Sequence, residues 1–142
     1  MSFAREGSSP FIPTKFMTYL IELKREFKAK QGLESPIRRS KNLPSLQPSD
    51  GCSLVLKVGI EFNESQLGPR GWFVDTDSLE GFLDEICQRL SKNKWTEIFD
   101  FRPTFELVTK WVFEQLESNI TQLQYIEIEN QTLGSKTRYD KN

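Results

Sequence analysis

The stretch Asp50-Gly51-Cys52-Ser53-Leu54-Val55-Leu56-Lys57-Val58-Gly59-Ile60-Glu61-Phe62 decides the fold. Cys52, Leu54, Leu56, Val58, Ile60 and Phe62 alternate with Ser53, Val55, Lys57, Gly59 and Glu61, and this period of two puts one apolar row on one face of a sheet. A slip of one residue would turn the row to water, so the register is strongly specified.

On its N-terminal side, Thr14 to Ala29 carries Met17, Tyr19, Ile21, Leu23 and Phe27 on one parity, with β-branched and aromatic enrichment. That composition predicts a long strand rather than a helix. Residues 1–13, with Gly7-Ser8-Ser9-Pro10 and a second proline, are expected to be an extended arm. Residues 32–49, rich in proline and holding Arg38-Arg39-Ser40-Lys41, are expected to be a long loop. The basic cluster is too short to act as more than a solvated loop.

On the C-terminal side, Gly68-Pro69 marks a turn, and Gly71 to Asp75 is expected to be extended. Asp77 is the expected N-cap of a helix, with Glu80 completing a capping box. Leu79, Phe82, Leu83, Ile86, Cys87 and Leu90 form its apolar stripe, with Asp84, Glu85, Gln88 and Arg89 facing water. Ser91 to Phe101 is a connection. Pro103-Thr104 opens a second helix, whose stripe is Leu107, Val108, Trp111, Val112 and Leu116. Gln124 to Asn130 is a strand, and Gln131 to Tyr139 holds a last one after a tight turn.

Composition bounds the function. The chain of 142 residues is expected to form one domain, residues 14–139, with a tail at 140–142. Lys plus Arg total 19 against 20 Asp plus Glu, so no strong field points to nucleic acid or anionic lipid. No apolar run approaches the roughly 18 residues of a spanning helix, and a cytoplasmic location is expected. Two cysteines do not make a disulfide framework, and both are expected reduced. Zero histidines remove imidazole acid/base chemistry and imidazole metal sites.

The element order strand, strand, helix, helix, strand, strand fits an α+β fold. Two consecutive helices cannot each cross over between parallel strands, so a four-stranded antiparallel sheet with both helices on one face is expected. Its long apolar edge strand invites pairing with another copy.

Gly71-Trp72-Phe73-Val74-Asp75-Thr76-Asp77-Ser78-Leu79 and Pro103-Thr104-Phe105-Glu106-Leu107, in this order of elements, resemble the helix-opening motifs of the 6-pyruvoyl- and 6-carboxy-tetrahydropterin synthase family. The resemblance implies the tunnelling fold, a homo-oligomer (trimer or hexamer) and three zinc-binding histidines. Phe27-Lys28-Ala29-Lys30-Gln31 matches the segment ending in the first histidine, and Asp50-Gly51-Cys52 matches the other two, so the zinc positions read Gln31, Asp50 and Cys52. A neutral amide is a poor zinc ligand, and no metal or other cofactor is expected. The implied cysteine has no counterpart in Ser45-Leu46-Gln47-Pro48-Ser49, and the implied Asp-His pair falls on Trp95-Thr96. The implied pterin-anchoring glutamate falls on Asn130, where an amide replaces two acceptors by one acceptor and one donor. Asn130 and Glu106 are the candidate ligand-binding residues, for a small planar pterin-like or purine-like heterocycle.

Two functional readings follow. One is a catalytically degenerate homologue acting as a binding or assembly subunit. The other is an enzyme of pterin or deazapurine chemistry with a repurposed site, Cys52 as nucleophile or zinc ligand and Asp50 as base or second ligand. Exposure of Cys52 discriminates them. Two carboxylate pairs have simpler roles: Asp77, beside Asp75, caps a helix, and Glu127 with Glu129 is the solvated face of an edge strand. Trp95, Phe99, Phe101 and Trp111 are expected in packing rather than around a ligand.

Overall fold

The central apolar row is buried as its alternation requires. Leu54, Leu56, Val58 and Ile60 are each no more than 1% exposed in a computed structural model that describes residues 17–142. The arm expected at residues 1–13 and the first residues of the expected strand, 14–16, lie outside the described residues.

Among the described residues four strands form one antiparallel sheet: β1 (Thr18–Ala29), β2 (Cys52–Asn63), β3 (Leu123–Asn130) and β4 (Ser135–Asp140), in the spatial order β1-β2-β3-β4. The apolar rows of neighbouring strands meet in register, Leu23 opposite Val58 and Val58 opposite Ile126. Among the described residues β1 and β4 are the two edges. Both long helices lie on one face, α2 (Glu80–Lys92) against β1 and α4 (Phe105–Leu116) against β3 and β4. Arg25 of β1 pairs with Glu80 and Asp84, which tethers α2 to the edge strand.

Several elements differ from the expectation. The loop at 32–49 contains a short helix, α1 (Pro36–Ser40), because Ser35 caps it by accepting from the Arg38 N–H and Pro36 fits its first turn. Gly71 to Asp75 forms bends, not a strand, after Gly71 adopts φ +77°. The cap before α2 is Asp75, whose carboxylate accepts from the Asp77 N–H at 3.1 Å. A 3₁₀ turn, Thr76–Leu79, separates it from the α-helix. The connection at Ser91 to Phe101 holds a further helical turn, α3 (Trp95–Ile98). In α4 the buried stripe is Val108, Thr109, Val112, Phe113 and Leu116, while Leu107 is exposed. Thr109 joins it because its hydroxyl donates to Phe105 O at 2.6 Å and so needs no water. The residues expected as a tail carry sheet bonds, since β4 includes Asp140 and the Lys141 N–H donates to Gln124 O at 2.7 Å.

Glu127 and Glu129 correct a larger expectation. β3 is an interior strand, and Glu127 is buried. Lys57 Nζ reaches Glu127 at 3.2 Å and Glu129 at 2.9 Å, which is how a buried carboxylate is tolerated on a face that no helix among the described residues covers.

Candidate functional site

Gln31 stands just beyond β1, where a zinc ligand is implied. Its Nε2 donates to Pro103 O at 3.0 Å, and its Oε1 accepts from Gln47 Nε2 at 2.8 Å. Beside it the Trp95 N–H donates to Lys30 O at 2.8 Å and the Thr96 N–H to Gln31 O at 3.2 Å. Gln31 thus joins the end of β1 to α3, to the residue before the α4 cap and to the long loop. Gly32 follows at φ +85°, and a Cβ there would lie 2.5 Å from Thr96 Oγ1, so only glycine lets the chain turn here.

Asp50 turns elsewhere. Its carboxylate meets Lys28 Nζ at 2.8 Å in an exposed pair, and the hydrogen bond from Lys28 holds its pKa below the ordinary 3.8. Cys52, the first residue of β2, faces Ala29 across the strands and is 2% exposed within the hydrophobic core. The second cysteine, Cys87, is also a free buried thiol, and burial pushes its pKa up to about 12.

Gln31, Asp50 and Cys52 therefore have three separate environments. Among the described residues, no group of three or more His, Cys, Asp or Glu side chains could hold a metal ion. Zinc needs deprotonated thiolate, imidazole or carboxylate ligands in one tetrahedral shell. The residues present do not fit it.

Asn130, at the end of β3, is 1% exposed. Its Oδ1 accepts from the Leu133 N–H at 3.0 Å, and its backbone carbonyl accepts from the Gly134 N–H at 2.8 Å, which builds the turn into β4. Its Nδ2 is buried with no partner among the described residues. The side-chain acceptor is spent on the turn, and only a donor remains. Glu106 is exposed in the first turn of α4, behind the cap that Thr104 makes with the Leu107 N–H at 3.2 Å. Among the described residues no hydrogen bond or ion pair joins it to the other candidates.

The other implied positions have structural roles. Trp95 is fully buried, with its indole N–H donating to Leu90 O at 2.9 Å and its ring edge-on to Phe105. Phe99 packs on Phe101 and Trp111 at centroid distances of 4.7 and 4.9 Å, so these aromatics pack as expected.

The model of the 6-pyruvoyl tetrahydropterin synthase family matches residues 23–142, spanning the second half of β1, the other three described strands and both long helices. The chain belongs to that family. Two solved structures share its fold. The 6-pyruvoyl tetrahydropterin synthase of Caenorhabditis elegans superimposes with a TM-score of 0.65 at 19% identity, covering 88% of this chain and 96% of that one. An uncharacterised protein from Wolinella succinogenes gives 0.59 at 17% identity, covering 89% and 99%. No curated protein sequence matches significantly. Among the described residues no helix is long and apolar enough to cross a membrane.

Within this 6-pyruvoyl tetrahydropterin synthase-family chain, sequence reasoning missed Gln47, which engages Gln31 from the interval that lacks the implied cysteine. It also missed the union of Lys57 with Glu127 and Glu129. A lone lysine in an apolar strand was the available signal for the second, since a cation there needs a carboxylate beside it. Nothing local marked Gln47.

Proposed function

We propose that this member of the 6-pyruvoyl tetrahydropterin synthase family is a non-catalytic subunit that acts by binding and assembly. The observation that carries the reading is the engagement of Gln31, with both ends of its amide bonded to the protein where a metal ligand would be needed. Burial of Cys52 in the core supports it against the repurposed enzyme, since a nucleophile must reach its substrate. Assembly of a homo-oligomer is supported by the edge of β1, uncovered among the described residues, where Tyr19 and Leu20 are exposed. The ligand of this reading is a pterin-like or purine-like heterocycle.

Incubating the purified protein with dihydroneopterin triphosphate, with and without zinc, tests this reading, with product followed by chromatography and size by light scattering. The expected outcome is a trimer or hexamer with no product above background. Metal-dependent product abolished by Cys52→Ser would establish the repurposed enzyme instead, and a monomer at micromolar concentration would remove the assembly role.

A further inference from the structure

The loop between β1 and β2 walls a cavity of about 440 Å³, of the size that holds small molecules. Leu33, Leu43 and Leu46 of the loop and Leu133 of the β3–β4 turn line it. Leu43, Leu46 and Leu133 are exposed. Apolar side chains converging on a concavity from two separate segments form a surface that gains by being covered.

Arg38 supplies the polar group. It is the one residue of α1 that is half-buried, the other four being exposed. Its carbonyl accepts from the Leu43 N–H at 2.8 Å, and its Nε donates to Pro44 O at 2.7 Å, so backbone and guanidinium are both held. Among the described residues its two terminal amino groups meet no acceptor. Neighbouring Arg39 pairs with Glu34 at 3.2 Å, which leaves one surplus positive charge on the lining. Gln47, on the same lining, is fixed by its bond to Gln31. The cavity is therefore shaped before anything enters it, and pre-organisation favours affinity.

We propose that this cavity binds a small organic monocarboxylate, its apolar body on the leucines and its carboxylate across the two terminal amino groups of Arg38. A planar fork with one surplus charge suits a carboxylate, which accepts two parallel hydrogen bonds and carries a single charge. A phosphate monoester would bring up to two charges to a lining that balances one. This site goes beyond the assembly and heterocycle reading and does not depend on it.

Saturation-transfer NMR that observes the ligand tests the proposal on the full chain, with hexanoate, 1-hexanol and hexyl phosphate as probes. Hexanoate should bind at least about tenfold more tightly than 1-hexanol, the effect of a charge-assisted pair. Arg38→Gln should reduce hexanoate to the level of the alcohol, and Leu46→Asp should remove binding of both. Arg38→Lys, which keeps the charge and loses the fork, should fall between wild type and Arg38→Gln. Equal affinity for acid and alcohol, tighter binding of hexyl phosphate, absence of binding, or affinities unmoved by Arg38→Gln and Leu46→Asp would each overturn it. If the protein assembles as proposed above yet fails this test, only the cavity assignment is lost.

Discussion

On the helix-covered face of the sheet, Leu56, Val58, Ile126 and Ile128 are fully buried, while on the opposite face of the same strands Tyr125 and Glu127 are nearly as well buried and the Lys57 side chain is 16% exposed, with no element above them among the described residues. The first group is covered by α2 and α4. The second is covered by its own long side chains. Lys57 lies between two glutamates, and Arg138 stacks 3.6 Å from the centre of the Tyr125 ring. The Tyr125 hydroxyl donates to Glu22 of β1. That ring lies where a side chain at position 59 would be, since a Cβ on Gly59 would overlap it. One face is thus stabilised by area removed from water, which is non-directional, and the other by paired polar groups, which tolerate no missing partner.

The largest effect should come from breaking the covered face. Leu56→Ala removes a fully buried side chain between β1 and β3, and large-to-small changes of this kind cost about 4 kcal/mol. Urea denaturation should show a lower midpoint with an unchanged slope. A loss under about 1 kcal/mol would mean that the core relaxes around the hole.

Breaking the uncovered face should cost less. Lys57→Met leaves Glu127 buried without its counter-charge, but Lys57 is 16% and Glu127 6% exposed at the side chain. A loss of about 2 kcal/mol is expected, below the roughly 3–5 kcal/mol of a fully desolvated pair. Adding Glu127→Leu should recover much of it, because the penalty is the lone charge rather than the lost attraction. A double variant as unstable as the single one would show that packing, and not charge, is what Lys57 contributes.

The smallest effect is the share of the pH dependence that the uncovered face carries, beside the shares of Cys87 and Asp50. Hydrogen bonds to Glu129, then to Glu127, hold the Lys57 pKa above 10.5, so its contribution is present below that value and fades as pH rises through the raised one. The Lys57 bond holds Glu129 below 4.5, so its contribution is present above that value and fades as pH falls through the lowered one. Tyr125, pushed up to about 12 by burial and then by its bond to Glu22, acts in the alkaline direction as well. In Lys57→Met the alkaline loss of stability should shrink without vanishing, and Leu56→Ala should leave both limbs in place. Identical limbs in wild type and Lys57→Met would place the titrating groups elsewhere.

The alternation in β2 and the helical stripe around Leu83, Ile86 and Leu90 were legible because burial against one partner surface repeats with the period of the element. The opening of α4 was legible from Thr104, whose hydroxyl fits one backbone geometry. Less could be read between elements. Asp75 and Asp77 are equally good caps by composition, and which one serves depends on how the chain leaves Gly71. Glu127 looked like a solvated residue because the sequence does not show which strand is interior.

The same division holds at the candidate site. The absence of histidine and the identities of Gln31, Asp50, Cys52 and Asn130 are properties of the sequence, and they already exclude imidazole ligands. Family membership follows from matching across residues 23–142. Only the tertiary structure decided that Gln31 is engaged at both ends of its amide, that Asp50 turns to Lys28 while Cys52 enters the core, and that Asn130 is left with a buried donor. The physical reason is that periodicity and residue chemistry act over a few residues, whereas these contacts join positions up to 72 apart. Whether a polar side chain is spent on the protein or left for a ligand depends on what the rest of the chain brings within about 3 Å of it.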